Sequence, residues 1–250
     1  MSVLHSLRAS VRLVRAVVHG LHGVAIVLWR FPTLPLEARR QRIQWWSAGM
    51  LRRLGMDLQM QGSFAPGAKL IVINHVSWLD ILAVHAVCPE ARFVSKADVK
   101  QWPVVRHLVD SAQTLYIERD RRRDAMRVVH QVAQALRDGH TVAVFPEGTT
   151  SPGPQPLPFH ANLLQAAITS EVPVQPVVLR FADAHRAFSD AAAYVGDTTL
   201  TQSLWLLARG RQLRVHITVL PLQSSRGAER RALAQALREQ IDGVLAPHRS

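Results

Sequence analysis

Polar and titratable residues follow four separate apolar, strand-like runs in this 250-residue sequence. In chain order they are His75 with Asp80, Lys96, Arg119, and Glu147 with Gly148. A histidine with a carboxylate partner can act as a general base, because the carboxylate fixes the tautomer and stabilises the imidazolium that forms. Arginine and lysine can hold a phosphate, and a glycine after a strand lets backbone N–H groups approach an anion. The pattern therefore indicates a general base beside candidate anion contacts.

The five-residue separation of His75 and Asp80 constrains how the two side chains meet. On one regular helix they would point roughly 140° apart at 3.6 residues per turn. They can meet if His75 lies in the loop before a helix and Asp80 in its first turn, with Ser77 as the N-cap between them. Ser77-x-x-Asp80 is also close to a capping box, so Asp80 serving only as a helix cap is the alternative interpretation.

The other candidate residues can also be explained without any role in function. Pro146-Glu147-Gly148 is a normal turn sequence. Arg119 belongs to a basic run, and it can be one of several solvated arginines; Lys96 is open to the same interpretation. No spacing of histidines or cysteines matches a zinc motif, so we expect no metal and no cofactor apart from a co-substrate.

Strand-like and helical patterns alternate after residue 69. The short β-branched runs that predict strands are residues 70–74, 92–95, 114–118, 141–145, 174–181 and 213–220. Helical patterns cover residues 78–87, 122–137, 159–169, 200–209 and 228–245. The alternation predicts an α/β fold with a mostly parallel central sheet that helices flank on both faces. In such a sheet the chemistry lies beyond the carboxyl ends of the strands, where all four candidate groups occur.

The N-terminal 60 residues are basic and apolar. The run at residues 16–29 is shorter than the roughly 20 residues that span a bilayer, and no signal-peptidase site follows it, so we expect neither crossing nor export. A second helical pattern covers residues 36–56. Nine arginines against Glu37 and Asp57 give a local charge of +7. We expect residues 1–60 to be an amphipathic helical segment that docks on an anionic membrane, and residues 61–250 to be the α/β domain.

The overall composition agrees with a membrane surface as the partner. The formal net charge is +12, which suggests a polyanionic partner, and the apolar content of 48% favours a membrane over nucleic acid. The single cysteine, Cys88, excludes an internal disulfide framework and is typical of a reducing compartment. We therefore expect a peripheral or monotopic protein on the cytoplasmic face of the inner membrane, with no nucleic-acid partner.

Taken together, these segments resemble the bacterial 1-acyl-sn-glycerol-3-phosphate (lysophosphatidate) acyltransferases of the glycerolipid acyltransferase superfamily. The residues that carry the resemblance are NHVSWLD at 74–80, YIER at 116–119, FPEGTTS at 145–151 and VPVQPV at 172–177, together with the lysine of FVSKADVKQWPVV at 93–105. These blocks occur in the order and at about the spacing of the family. They cover residues 70–179.

The resemblance implies an enzyme of phospholipid biosynthesis. It would transfer an acyl chain from acyl-CoA or acyl-carrier protein to the free hydroxyl of lysophosphatidate, forming phosphatidate. His75 would be the catalytic base and Asp80 its partner, and attack would be direct, without an acyl-enzyme. The substrate-binding residues that it implies are Asn74, Ser77, Lys96, Arg119, Glu147, Gly148, Thr149 and Thr150. Among these, Lys96 and Arg119 would contact phosphate.

One position departs from the family pattern. Thr150 occupies the place where the family usually has an arginine suited to clamping the acceptor phosphate. Loss of a charged donor weakens phosphate binding by about 1.5–3 kcal/mol. The alternative acceptor is therefore a lyso-ornithine lipid, whose head group is an amino acid. A non-enzymatic basic protein that binds membranes or nucleic acid is the alternative of another class, but it leaves His75, Asp80 and Glu147 unexplained.

Overall fold

The computed structural model of the chain describes residues 3–96, 103–117 and 122–249. Seven strands form one sheet: β1 (Met56–Gln61), β2 (Lys69–Ile73), β3 (Arg92–Lys96), β4 (Leu115–Ile117), β5 (Thr141–Val144), β6 (Val174–Ala182) and β7 (Leu213–Val219). The α-helices are α1 (Val3–Trp29), α2 (Leu36–Arg53), α3 (Leu79–His85), α4 (Pro103–Ser111), α5 (Arg122–Arg137), α6 (Leu164–Ser170), α7 (Leu200–Arg209) and α8 (Arg230–Leu245).

The sheet order is β1-β7-β6-β2-β5-β3-β4. All neighbouring strands are parallel except β6 and β7, which pair antiparallel. The predicted mostly parallel α/β sheet is therefore confirmed. Because β1 and β7 run opposite to the other strands, the start of β1 lies at the same edge of the sheet as the carboxyl ends of β2, β5 and β6. This edge carries the candidate site.

Two apolar layers cover the sheet, one on each face. Side chains alternate between the faces along a strand, so Ile71 and Ile73 of β2 pack under α2 and α3, while Leu70 and Val72 pack under α5 and α8. All five residues of β2 are buried. Burial on both faces explains why the strand sequences are continuous apolar runs rather than alternating ones.

All six predicted strands and all five predicted helices are present, but the structure adds β1 and α4. The helical pattern that we extended to residue 56 ends at Arg53, and Gly55, with φ of 81°, turns the chain into β1. β1 has one neighbour and buries only Met56, so it lacks the apolar signature of a central strand. The division that we placed at residue 60 falls inside this strand.

The first helix, α1, is longer than the apolar run predicted. Its 24-residue stretch Ser6–Trp29 is long and apolar enough to cross a membrane by length and composition, so our argument from shortness is wrong. Ala9, Ala16 and His19 are buried where α1 packs on the domain. Arg12 also donates to the main-chain oxygens of Ala208 and Gly210 at the end of α7, at 3.1 and 2.7 Å.

The opposite side of α1 is apolar and exposed. Its large exposed side chains are Leu7, Val11, Val14, Val17, Val18, Leu21, Leu28 and Trp29. Their recurrence at three- and four-residue intervals forms one stripe along the helix. The helix is thus amphipathic in an unusual sense, with one side packed on the domain and the other presenting apolar surface to the surroundings.

Candidate active site

The loop that follows β2 is tied to the neighbouring strand by Asn74. Its amide Nδ2 donates to the Leu179 oxygen at 2.9 Å, and its Oδ1 accepts from the Leu179 N–H at 2.8 Å. These two bonds continue the β2–β6 pairing with a side chain in place of backbone. Asn74 is buried, so in this structure it fixes the starting point of the loop. Its predicted contact with substrate stays a prediction.

His75 and Asp80 meet as their spacing predicted. His75 lies in the loop before α3, Asp80 lies in the first turn, and Nδ1 of His75 is 2.7 Å from Oδ2 of Asp80. A carboxylate accepts hydrogen bonds only, so the proton of this contact is on Nδ1, and Nε2 is the acceptor nitrogen of the neutral imidazole. Asp80 is fully buried while 19% of the His75 side chain is exposed. Asp80 is therefore enclosed by the protein, whereas His75 is accessible from the solvent.

Asp80 also holds the loop that carries His75. Its Oδ2 accepts from the N–H groups of Val76 and Ser77 at 2.8 and 3.0 Å. The alternative interpretation as a helix cap is wrong, because both donors precede the N-cap position and no described side chain caps α3. The expected N-cap is wrong, because Trp78 occupies that position and the buried Ser77 hydroxyl has no hydrogen-bond partner among the described residues.

The imidazole of His75 lies on an aromatic stack. Its ring is parallel to that of Phe145, with centroids 4.0 Å apart, and Phe145 in turn stacks on Phe93 at 5.5 Å. Phe145 follows β5 and Phe93 lies on β3, so two strands of the sheet fix the ring plane of His75. Sequence analysis missed this stack, and the only signal was the aromatic residue before Pro146.

Glu147 braces the site from the next strand. It is 3% exposed, its Oε1 accepts from the His75 N–H at 2.6 Å, and its Oε2 accepts from the Leu157 N–H at 2.8 Å. Burial raises the pKa of this carboxyl, and the two backbone N–H donors oppose that shift by stabilising the charged form. Both oxygens thus bond to the protein, so Glu147 joins the loop after β2 to the loop after β5. A role toward the acceptor stays a prediction.

The loop after Glu147 packs along the His75 segment. Gly148 adopts φ of 72°, a conformation that favours glycine, and the Ser151 N–H donates to the His75 oxygen at 2.7 Å. The Thr150 hydroxyl donates to the main-chain oxygen of Tyr194. Thr150 is therefore held in the wall of the site by a neighbouring segment. The adjacent Thr149 is exposed.

The proline-rich segment 151–158 is held by the C-terminal helix. Arg238 of α8 donates through Nε and Nη2 to the oxygens of Pro156 and Leu157 at 3.0–3.2 Å. Leu157 in turn donates to Glu147, which receives the His75 N–H. Hydrogen bonds therefore connect α8 to His75 by way of Leu157 and Glu147. No local pattern in the sequence indicated this connection.

The structure does not describe the side chains of the two predicted phosphate contacts, Lys96 and Arg119. Arg119 lies outside the described residues. Lys96 ends β3, where its backbone pairs with Ile117 of β4, and nothing is described of its side chain. β3 and β4 continue the sheet beyond β5, so the backbone of Lys96 lies on the side of the site formed by Phe93 and Phe145.

An apolar cavity of about 400 Å³ opens beside the aromatic stack. It lies among α1, α2, α3, α4 and α7, and Trp78, Phe93 and Tyr194 are part of its lining. Trp78 is three residues from His75, and Phe93 belongs to the stack that carries the imidazole. The cavity is therefore a candidate site for an apolar chain, next to the aromatic residues that carry His75.

The chain is similar in sequence to known acyltransferases. The sequence model of the acyltransferase family matches residues 59–180. The chain is 35% identical to a lyso-ornithine lipid O-acyltransferase of Pseudomonas aeruginosa, over 99% of this chain and 97% of that protein. It is 33% identical to a 1-acyl-sn-glycerol-3-phosphate acyltransferase of Neisseria meningitidis serogroup B, over 84% of this chain and 83% of that protein.

The fold also has a solved counterpart. The crystal structure of the 1-acyl-sn-glycerophosphate (LPA) acyltransferase PlsC from Thermotoga maritima superposes with a TM-score of 0.67 at 20% identity. The match covers 94% of this chain and 97% of that one. At this identity the likeness concerns the fold.

Proposed function

Because this chain belongs to the acyltransferase family and acylates lysolipids, we propose that His75, oriented by Asp80, is the general base of the transfer. The observation that carries the proposal is the 2.7 Å contact between His75 Nδ1 and the fully buried Asp80. A buried carboxylate on Nδ1 stabilises the imidazolium that forms when Nε2 takes a proton. A non-enzymatic role is thereby set aside.

The reaction is a direct transfer. The acceptor hydroxyl loses its proton to His75 Nε2 as its oxygen attacks the carbonyl carbon of the acyl thioester. The tetrahedral intermediate collapses, the C–S bond breaks, and the imidazolium returns the proton to the leaving thiolate, which yields an ester and a free thiol. Such base catalysis contributes typically 10²–10⁴-fold to the rate.

The transfer needs no acyl-enzyme intermediate. Cys88 is 1% exposed, and burial raises the pKa of its thiol, so the thiolate that a nucleophile requires does not form at neutral pH. In this proposal the acyl chain occupies the apolar cavity beside Phe93, and the thioester extends past the Phe93–Phe145 stack to His75. The donor is acyl-CoA or acyl-carrier protein, and the enzyme uses no further cofactor.

The acceptor that the site suits best is a lyso-ornithine lipid. Thr150 stands where an arginine would clamp a phosphate, and its hydroxyl already donates to Tyr194. A phosphomonoester carries nearly two negative charges, whereas an ornithine head group pairs one carboxylate with its own ammonium and needs less positive charge. The Pseudomonas relative, which matches nearly the whole chain, supports this acceptor.

Lysophosphatidate is the second candidate. The Neisseria relative bears that activity in its name, and the chain carries a net charge of +12, which suits an anionic acceptor. With this acceptor the product would be phosphatidate. Thiol release with the two lysolipids in parallel, at equal surface concentration in mixed micelles, decides between them.

Substitution of Thr150 separates the two acceptors by the sign of its effect. With a lyso-ornithine acceptor, Thr150→Arg places a cation beside the head-group ammonium, so activity on that lipid falls and activity on lysophosphatidate rises. With a phosphate acceptor, the KM for lysophosphatidate falls and kcat changes little, because such a contact stabilises ground and transition states alike. Thr150→Val is the matched control, since it removes the bond to Tyr194 without adding charge. Equal results for both variants would show that charge at position 150 does not reach the acceptor.

The chain acts at a membrane, as its lipid substrates and N-terminal apolar helix require, and we assign it to the cytoplasmic face of the inner membrane. The packing of α1 along the domain supports a monotopic arrangement, in which the exposed stripe dips into one leaflet. A leaflet rich in anionic lipid attracts the basic N-terminal segment at about 1 kcal/mol per arginine near the surface.

A further inference from the structure

A second hollow, remote from His75, is lined mainly by arginine. Its volume is about 480 Å³, and it lies between the first half of α1 and the end of α2. Five of its eight lining residues are basic, and the other three are Leu7, Val11 and Gly55; the basic residues are Arg8, Arg12, Arg15, Arg52 and Arg53. None of the described residues that line it is acidic. Five guanidinium groups around one hollow repel one another unless an anion lies among them.

Two of these arginines are held in place by backbone oxygens. Arg12 donates to Ala208 and Gly210 at 3.1 and 2.7 Å, and Arg53 donates to Gly49 at 3.0 Å. The Arg12 guanidinium lies directly over Gly55. Gly55 has φ of 81°, a conformation that favours glycine. The floor of the hollow is thus a preorganised cation.

The other three arginines are available for a ligand. Arg8, Arg15 and Arg52 are exposed, and within the described part of the chain none has an ion pair or a side-chain hydrogen bond. Planar guanidinium forks bind the oxygens of a phosphate in pairs, which makes phosphate the anion that a cluster of arginines recognises best. The site lies apart from the groups proposed for acyl transfer and is not used by them.

The surroundings of the hollow identify the source of the phosphate. Arg8 and Arg15 border the exposed apolar stripe of α1, and Leu7 and Val11 of that stripe also line the hollow. When the stripe enters the acyl region of a leaflet, the bordering arginines lie at the depth of the head groups. We propose that this hollow binds the phosphate of a membrane phospholipid.

The position of the hollow determines which side of the sheet a bound phospholipid would hold against the membrane. Met56, which follows Gly55, pairs with Leu213 at the start of β7, and Arg214 pairs with Ala182 at the end of β6, so the hollow lies on the same side of the sheet as the ends of β2 and β5 but beyond them. Three strand spacings separate β1 from β2 sideways, about 14 Å, and the register places Met56 roughly 20 Å beyond Ile73 along the strands. A phospholipid held there keeps the side of the sheet that carries His75 turned toward the membrane, where the lysolipid acceptor resides.

The test measures binding of the full-length chain to vesicles of phosphatidylcholine and phosphatidylglycerol by co-sedimentation. The variant Arg8→Gln/Arg15→Gln/Arg52→Gln should bind about 100-fold more weakly, at roughly fivefold per arginine. The matched control, Arg137→Gln/Arg230→Gln/Arg231→Gln, removes the same charge from exposed positions on α5 and α8 and should bind nearly as the unmodified chain does. Both triple variants should keep the melting temperature, because all six side chains are exposed.

Three results would overturn the proposal. Equal loss of binding in both triple variants would mean that net charge alone acts. Equal binding of the unmodified chain to phosphate-free vesicles, whose negative charge comes from oleate, would exclude recognition of phosphate. A raised KM for acyl-CoA with unchanged vesicle binding would assign the hollow to the soluble donor. The vesicle measurement needs no turnover, so it is independent of the proposed acyl transfer.

Discussion

Asp80 holds one ring nitrogen of His75 at 2.7 Å, and in the proposed mechanism the other nitrogen takes the proton of the acceptor. We therefore expect His75→Ala to lower thioester release by at least about 10²-fold. The substitution removes the stack on Phe145 and the hydrogen bond to Asp80, which together should lower the free energy of unfolding by about 2–4 kcal/mol. The fold should survive, because the buried Asp80 keeps the hydrogen bonds from the Val76 and Ser77 N–H groups. Thiol release measures the first effect and thermal unfolding the second. His185→Ala, at an exposed histidine, is the control and should keep full activity; near-normal release by His75→Ala would refute base catalysis by this residue.

Substitution of Asp80 tests whether it orients His75 for catalysis or only holds the loop before α3. Its Oδ2 accepts from His75 and from two backbone N–H groups, so Asp80→Asn loses the charge and weakens all three bonds. We expect a strong fall in kcat together with a loss of about 1–3 kcal/mol in the free energy of unfolding. Kinetics and denaturant unfolding of the same preparation measure both. Destabilisation of Asp80→Ala with nearly normal kcat would mean that Asp80 only holds the loop.

At the scale of secondary-structure elements, α8 acts on the site through the proline-rich segment. Arg238 holds the oxygens of Pro156 and Leu157, and Leu157 holds Glu147. We expect Arg238→Ala to loosen this segment, to lower kcat more than it raises KM, and to cost about 1.5–3 kcal/mol for the lost charged bonds.

The matched variants at the same element are Arg238→Lys and Arg231→Ala. Lysine keeps the charge but not the fork, so Arg238→Lys should recover part of kcat, whereas Arg231→Ala changes an exposed residue of α8 and should have no effect. If Arg238→Ala kept kcat while losing stability, α8 would support the fold without positioning His75.

For the whole molecule, the N-terminal segment cannot be removed as a unit. Leu51, Leu54 and Met56 belong to the core, and β1 is a strand of the sheet, so deletion of residues 1–60 would expose the apolar face under α2. Membrane docking is better tested by Val14→Asn/Val18→Asn on the exposed stripe of α1. This variant should move the protein to the supernatant of a vesicle sedimentation, because each change removes apolar surface from the bilayer.

The control for docking is Met60→Asn/Leu222→Asn, which changes two exposed apolar residues away from α1 and should leave sedimentation unchanged. High salt should weaken vesicle binding of the unmodified chain, since screening reduces the attraction between arginines and anionic lipid. Proteolysis of the N-terminus from the outer side of intact inner membranes would show that α1 crosses, and it would contradict the monotopic arrangement.

The sequence by itself determined the central strands and the pairing of His75 with Asp80. β2, β5 and β6 can be predicted from the sequence because burial on both faces requires continuous apolar runs. The contact of His75 with Asp80 can be predicted because the two residues are only five positions apart in the chain. β1 could not be predicted, because an edge strand with one buried residue has no continuous apolar run.

Only the tertiary structure decided what surrounds that pair. Glu147 was identified as a site residue, but its partners are backbone groups 72 and 10 residues away, and backbone N–H groups carry no sequence signature. The contacts of Thr150 with Tyr194 and of Arg238 with Pro156 likewise join segments 44 and 82 residues apart. Spacing encodes contacts within a turn or a strand. Contacts between loops depend on how the whole sheet and its helices pack, and no local pattern specifies that packing.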